Sequence, residues 1–129
     1  MKYFICTMET SGTESPENCL LAIPLEQTER IISTSRVQAA VYETENGKAI
    51  VSIPALLKLK DQSTPHELLL KSGATLLLPR IDVELEISEE EIKQLPKTLE
   101  LMFGYFRGVY FNSNMILILE PEKLLEFLK

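Results

Sequence analysis

Apolar and polar positions along the chain alternate mostly in short runs of strand length. Lys2 to Met8 is rich in aromatic and β-branched residues, and Cys19 to Ile23 is a second apolar run ended by Pro24. Thr10 to Asn18 lies between them as a stretch of Ser, Thr, Gly, Pro, Asn and Glu, which is loop chemistry, so the two runs predict a hairpin. Leu25 to Ser33 fits a helical turn or a strand equally well. Val37 to Tyr42 and Ala49 to Ile53 read as strands around Glu45-Asn46-Gly47-Lys48. Asn-Gly supplies the positive φ of a tight turn, and the expectation is that Gly47 adopts it. Pro54 then stops pairing, and Ala55 to Lys60 has the composition of one or two helical turns.

The second half repeats this plan. Asp61 to Pro65 is a turn-rich break, read as the boundary between a first lobe of about residues 1–62 and a second of about 63–129 within one domain. Glu67 to Leu70 and Thr75 to Leu78 are strands around Ser72-Gly73. From Arg80 to Ile87 the apolar residues Ile81, Val83, Leu85 and Ile87 alternate with Asp82, Glu84 and Glu86, the period of a strand with one wet face. Ser88-Glu89-Glu90-Glu91 has capping-box spacing and predicts a short helix ending before Pro96. The last two strands, near Gly104 to Phe111 and Met115 to Leu119, flank the turn Asn112-Ser113-Asn114. Pro121 opens a helix whose apolar face is Leu124, Leu125 and Leu128. Nine or ten short strands with two or three short helices predict a mainly β protein, built as small barrels or a sandwich.

Composition narrows the function. The chain has 129 residues, enough for a core without metals or disulfides, and its 45% apolar and 25% charged content is that of a globular domain. A net charge of −6 with 13 scattered basic residues opposes a nucleic-acid partner. No run is long enough to span a membrane, and the short apolar stretch at Tyr3 to Cys6 does not make a signal-peptide core, so the expected location is cytoplasmic. There Cys6 and Cys19 are expected reduced and buried. Paired strands would bring them close, which leaves a bridge between them open.

No catalytic pattern stands out. His66 has no Cys or second His near it, so no metal site is expected. Glu89, Glu90 and Glu91 suit a solvated first helical turn better than an acid–base pair. The five glycines form no phosphate loop, and Ser11, Ser15 and Ser113 have no nucleophile context. Arg107 to Phe111 looks superficially like an RNA-binding strand, but the acidic chain favours core aromatics and cross-strand pairs there. The expectation is a protein that is not an enzyme and needs no cofactor.

From Lys2 to about Leu125 the chain resembles a CheW-like domain, the adaptor module of bacterial chemosensory arrays. The resembling pieces are K-Y-F-I-C, C-L-L-A-I-P-L-E-Q-T-E-R-I-I, N-G-K-A-I-V-S-I-P-A-L-L, T-L-L-L-P-R-I-D-V-E-L-E-I-S with Q-L-P, and the E-P-E-K-L-L ending. Their order carries the resemblance. It implies two SH3-like five-stranded β-barrels packed together, with short helices including a C-terminal one. It also implies a non-catalytic adaptor that binds protein partners, the regulatory domain of a histidine kinase and a chemoreceptor. The partner-binding residues it suggests are Ala39, Ala40 and Val41, together with Glu43, Asn46, Gly47 and Lys48 around the first-lobe turn. Asn46 stands where the family carries an Arg associated with receptor contact, and Pro79 stands where it tends to carry an acidic residue. The competing reading is a stand-alone all-β module that binds a ligand or peptide in a cleft between lobes.

Overall fold

A computed structural model of the chain describes residues 1–10, 18–33, 42–45, 48–95, 97 and 104–128. Within them ten strands form two five-stranded sheets. The first sheet holds β1 (Lys2–Glu9), β2 (Asn18–Pro24), β8 (Ile81–Glu86), β9 (Phe106–Asn112) and β10 (Asn114–Leu119), in the order β8-β1-β2-β10-β9. The second holds β3 (Thr28–Ser33), β4 (Tyr42–Glu45), β5 (Lys48–Ser52), β6 (His66–Leu70) and β7 (Thr75–Leu78), in the order β3-β6-β7-β5-β4.

Read from edge to edge, the two sheets repeat one pattern of pairing. Each has two antiparallel pairs, then one parallel pair, then a final antiparallel pair. The parallel partners are β2 with β10, where Leu20 lies beside Ile116, and β7 with β5, where Thr75 lies beside Ile50. In both sheets a Pro-led helix leaves the strand in the parallel pair: α1 (Ile53–Leu56) follows β5 and α2 (Pro121–Phe127) follows β10. Pro suits these positions because the first turn of a helix has no use for its missing N–H.

The lobes are not the two halves of the chain. Strands β3 to β7 form the second sheet without interruption, and the first sheet is built from β1 and β2 together with β8 to β10. The expected boundary at Asp61 to Pro65 is therefore corrected. That segment is irregular, as its composition predicts, but it joins strands of one sheet, and β3 pairs with β6 and β5 with β7 across it. A turn-rich break marks where a strand stops, whereas sheet membership depends on which distant strand completes the ladder. The ladders among the described residues leave both sheets open, so the closed barrels implied by the resemblance are not what the pairing displays.

The core follows the alternation of the strands. Cys6, Met8, Leu21 and Ile23 of the first sheet pack against Val51, Leu68, Leu70, Leu76 and Leu78 of the second, and this cluster joins the two sheets. Leu124 of α2 is fully buried in the same cluster, with Leu125 and Leu128 packed beside it. The intervening residues Tyr3, Ile5, Ala22, Ile116 and Ile118 point to the other face of the first sheet and form a second cluster with Ile87. This double burial explains why β2 and β10 read as continuous apolar runs while the edge strand β8 alternates.

The chain leaving β8 crosses that second face. Ser88 and Glu91 form the predicted capping box, with the Ser88 amide and hydroxyl each donating to Glu91 Oε1 at 3.3 and 3.1 Å, but the box opens only a 3-10 turn over Glu89–Glu91 and not the helix expected up to Pro96, because Ile92 is already extended. Ile92 then packs on the cluster, and Lys93 bridges to Val109 in β9, the far edge of the sheet. Leu25–Gln27 is also a 3-10 turn, which carries the chain from the first sheet to the second and resolves the ambiguous stretch as turn, then strand.

Candidate docking surface

The residues singled out by the family resemblance fall around the β4–β5 hairpin. Ala39, Ala40, Val41, Asn46 and Gly47 lie outside the described residues, so the expected turn conformation at Gly47 does too. Glu43 lies in β4 opposite Ile50, and Glu45 lies opposite Lys48. Lys48 opens β5 at an exposed position. Its Cδ and Cε lie in ordinary contact range, 3.8 Å, of where a Cβ on Gly73 would sit. Gly73 has a φ of +98°, which a residue with a side chain resists, so the β6–β7 turn requires glycine there.

A second surface was not found from the sequence. In the β9–β10 hairpin Phe111 and Met115 are directly opposed, and both are exposed, at 63% and 54%. Phe111 is thus a cross-strand pair, as expected, but not a core residue. Met115 continues into an apolar cleft of about 240 Å³ lined by Cys19, Leu57, Leu59, Leu95, Phe106 and Leu117. The cleft is assembled from strands of the first sheet, from Leu95 in the segment that follows β8, and from the segment after α1. Large apolar groups exposed side by side at the end of a sheet are the usual mark of a docking surface.

The segment after α1 is held by its helix cap. Lys58 donates its amide to Ala55 O at 3.1 Å and Leu59 to Pro54 O at 2.9 Å, the two bonds of a Schellman ending. Lys58 sits at φ 57°, the left-handed region normally given to glycine. This turn directs Leu57 and Leu59 to the cleft and leaves Lys58 exposed beside it.

The thiols at this surface are quiet. Burial pushes the Cys6 thiol up to about 12, helped by the Asp82 charge, and burial also raises Cys19. Both cysteines are free. Cys6 lies opposite Leu21 and Cys19 opposite Met8, so the two occupy a diagonal across the hairpin rather than facing positions. His66 opens β6, and among the described residues no group of three or more His, Cys, Asp or Glu is placed to hold a metal ion.

No family model matches the sequence, and no curated protein does. A solved structure does match: the scaffolding protein TtCheW from Thermoanaerobacter tengcongensis, with a TM-score of 0.61 over 92% of this chain and 89% of that one, at 11% identity. The chain has a CheW-like fold. The likeness is one of backbone, and at that identity the CheW-like architecture survives with almost wholly different side chains. No helix among the described residues is long and apolar enough to cross a membrane.

Proposed function

We propose that the protein is a non-catalytic cytoplasmic adaptor that couples a chemoreceptor or another signalling partner to the regulatory domain of a histidine kinase. The observation that carries the reading is the CheW-like fold, shared with a scaffolding protein over nearly the whole chain. Two surfaces would divide the work. The β4–β5 region, with Ala39, Ala40, Val41, Glu43, Asn46, Gly47 and Lys48, is the receptor-facing one. The apolar surface of Phe111, Met115 and the adjoining cleft is suited to the kinase domain, because aromatic residues and Met are enriched where protein interfaces are buried.

At the Phe111–Met115 surface the size of the cleft favours a docked protein side chain over a small molecule. At about 240 Å³ it falls below the roughly 300–1,000 Å³ of ligand pockets, and it continues onto an open surface. Asn46 cannot offer the planar fork of donors that Arg does, so the receptor contact would be the weaker of the two.

The test is a pair of binding titrations against the kinase regulatory domain and a receptor fragment from the same cell. Met115→Lys is expected to abolish kinase-domain binding while leaving the fold intact, since Met115 is exposed. Reversing Glu43 and Lys48 together is expected to slow receptor association, because rim charges act on encounter. Asn46→Arg is expected to raise receptor affinity by about tenfold to a hundredfold, the worth of a charged hydrogen bond of roughly 1.5–3 kcal/mol. If the wild-type protein binds neither partner, the adaptor reading fails.

A further inference from the structure

The first sheet changes character at one end. Along the face that carries Tyr3, Ile5, Ala22, Ile116 and Ile118, three neighbouring strands exchange apolar residues for polar ones toward the same end of the sheet. On β1 the series ends in Thr7 and Glu9, on β2 it begins with Asn18, and on β10 it begins with Asn114. Two adjoining clefts of about 310 and 470 Å³ open there, and both are lined by Thr7, Asn18 and Arg80.

Arg80 is held in a defined pose. Its Nε donates to one oxygen of Asp82, and the Thr7 hydroxyl donates to the other. Among the described residues nothing binds its two terminal nitrogens, and its side chain is 68% exposed. Asp82 is thereby fully engaged. Burial acts to raise its pKa, but the bonds from Thr7 and Arg80 and the Arg80 charge outweigh burial and hold it below the usual carboxylate value.

Two further polar groups of the cleft, Gln62 and Glu9, are already committed. Gln62 is spent on the backbone, accepting from Glu9 N at 2.9 Å and donating to Glu9 O at 2.8 Å and Lys60 O at 2.9 Å. Glu9 is paired with Lys60 at 3.4 Å. Among the described residues, what remains for a visitor is the outer fork of Arg80, with the carboxamides of Asn18 and Asn114 and the Ser63 hydroxyl on the same lining.

We propose that this end of the first sheet binds an acidic side chain on an extended peptide, with its carboxylate on the outer fork of Arg80 and its backbone amides on Asn18 and Asn114. An Arg whose Nε is already fixed by a carboxylate keeps a second, end-on pair of donors that matches another carboxylate. Carboxamides carry both a donor and an acceptor, which suits a peptide bond rather than a bare anion. The net charge of −6 repels free anions at long range, so recognition here depends on short-range fit. The site is separate from the Phe111–Met115 surface and does not depend on the adaptor reading.

The experiment is a titration of isotope-labelled protein with capped Gly-Glu-Gly and capped Gly-Gln-Gly peptides, and with inorganic phosphate. The readout is the side-chain NH₂ signals of Asn18 and Asn114 and the Arg80 Nε–H. Saturable shifts with the Glu peptide, at least about tenfold weaker with the Gln peptide and in Arg80→Gln, are expected. Arg80→Lys, which keeps the charge and loses the fork, is expected to fall between. Equal shifts from both peptides, unchanged binding by Arg80→Gln, or tighter binding of phosphate than of the Glu peptide would overturn the proposal. Arg80 is exposed, so an unaltered backbone spectrum of the variant separates lost binding from lost fold.

Discussion

Lys93 and Val109 exchange both of their backbone hydrogen bonds, each at 2.8 Å, and thereby tie the chain leaving β8 to the far edge of the same sheet. The neighbouring Gly108 makes this approach feasible. A Cβ there would sit 2.3 Å from the Lys93 carbonyl oxygen and 2.8 Å from Ile92 Cγ2. The obstacle is backbone, which cannot swing aside as a side chain can.

Gly108→Ala is therefore expected to destabilise the fold by about 1–3 kcal/mol, the cost of overpacking, and to expose the Lys93 and Val109 amides to exchange. Urea denaturation and amide hydrogen exchange measure the two effects. An alanine variant with wild-type stability and protected amides would show that the crossing segment is not held by this contact.

Lys58 offers the opposite case. A non-glycine residue in the left-handed region costs about 1–2 kcal/mol, and glycine is the usual occupant of this position in a Schellman ending. Part of that gain is returned as chain entropy in the unfolded state. Lys58→Gly is expected to raise stability by up to about 1 kcal/mol, read as a higher urea midpoint with an unchanged slope. A lower midpoint would mean that the lysine side chain contributes more than its backbone costs.

Stability should fall on the alkaline side. Below pH 9.0, the ordinary Cys value, the Cys6 thiol keeps its proton in both the folded and the unfolded chain. Between there and about 12 the unfolded thiol ionises and the buried one does not. Unfolding then releases a proton, and stability drops as pH rises, by on the order of 1.4 kcal/mol per pH unit. Burial likewise raises Tyr105 from 10.0 to about 12, which steepens the loss above pH 10.0. Urea midpoints taken stepwise upward from neutral pH check this, and a flat profile across that window would contradict it. At neutral pH a thiol reagent is expected to modify the half-buried Cys19 before Cys6.

What the sequence disclosed was local. The alternation from Ile81 to Ile87, the turn at Asn112-Ser113-Asn114, the box from Ser88 to Glu91 and the Pro121 helix all appear where their residues predict them. Each is decided by neighbours a few positions away. The partnership of Leu20 with Ile116 is not, and nothing in either run says which distant strand lies beside it. The assignment of strands to sheets was lost for that reason. Phe111 was misread as core for a related one: an apolar residue in a strand looks the same whether a partner element covers it or not. The polar ends of β1, β2 and β10 carry no signal until the pairing brings Thr7, Asn18 and Asn114 to one end of the sheet.

The interrupted first sheet has a consequence for how the protein is made. Strands β3 to β7 emerge from the ribosome in sequence and can pair as soon as Leu78 is out. β1 and β2 emerge earlier but lack their central neighbour until β10 appears at Asn114–Leu119. At roughly 5–20 residues per second, the delay between Leu20 and Ile116 is on the order of 5–20 s. The second sheet can cover the Cys6, Met8, Leu21 and Ile23 face once it has formed, but the Tyr3, Ile5 and Ala22 face stays bare until Ile116 and Ile118 arrive, the stage at which the nascent chain has most need of a chaperone.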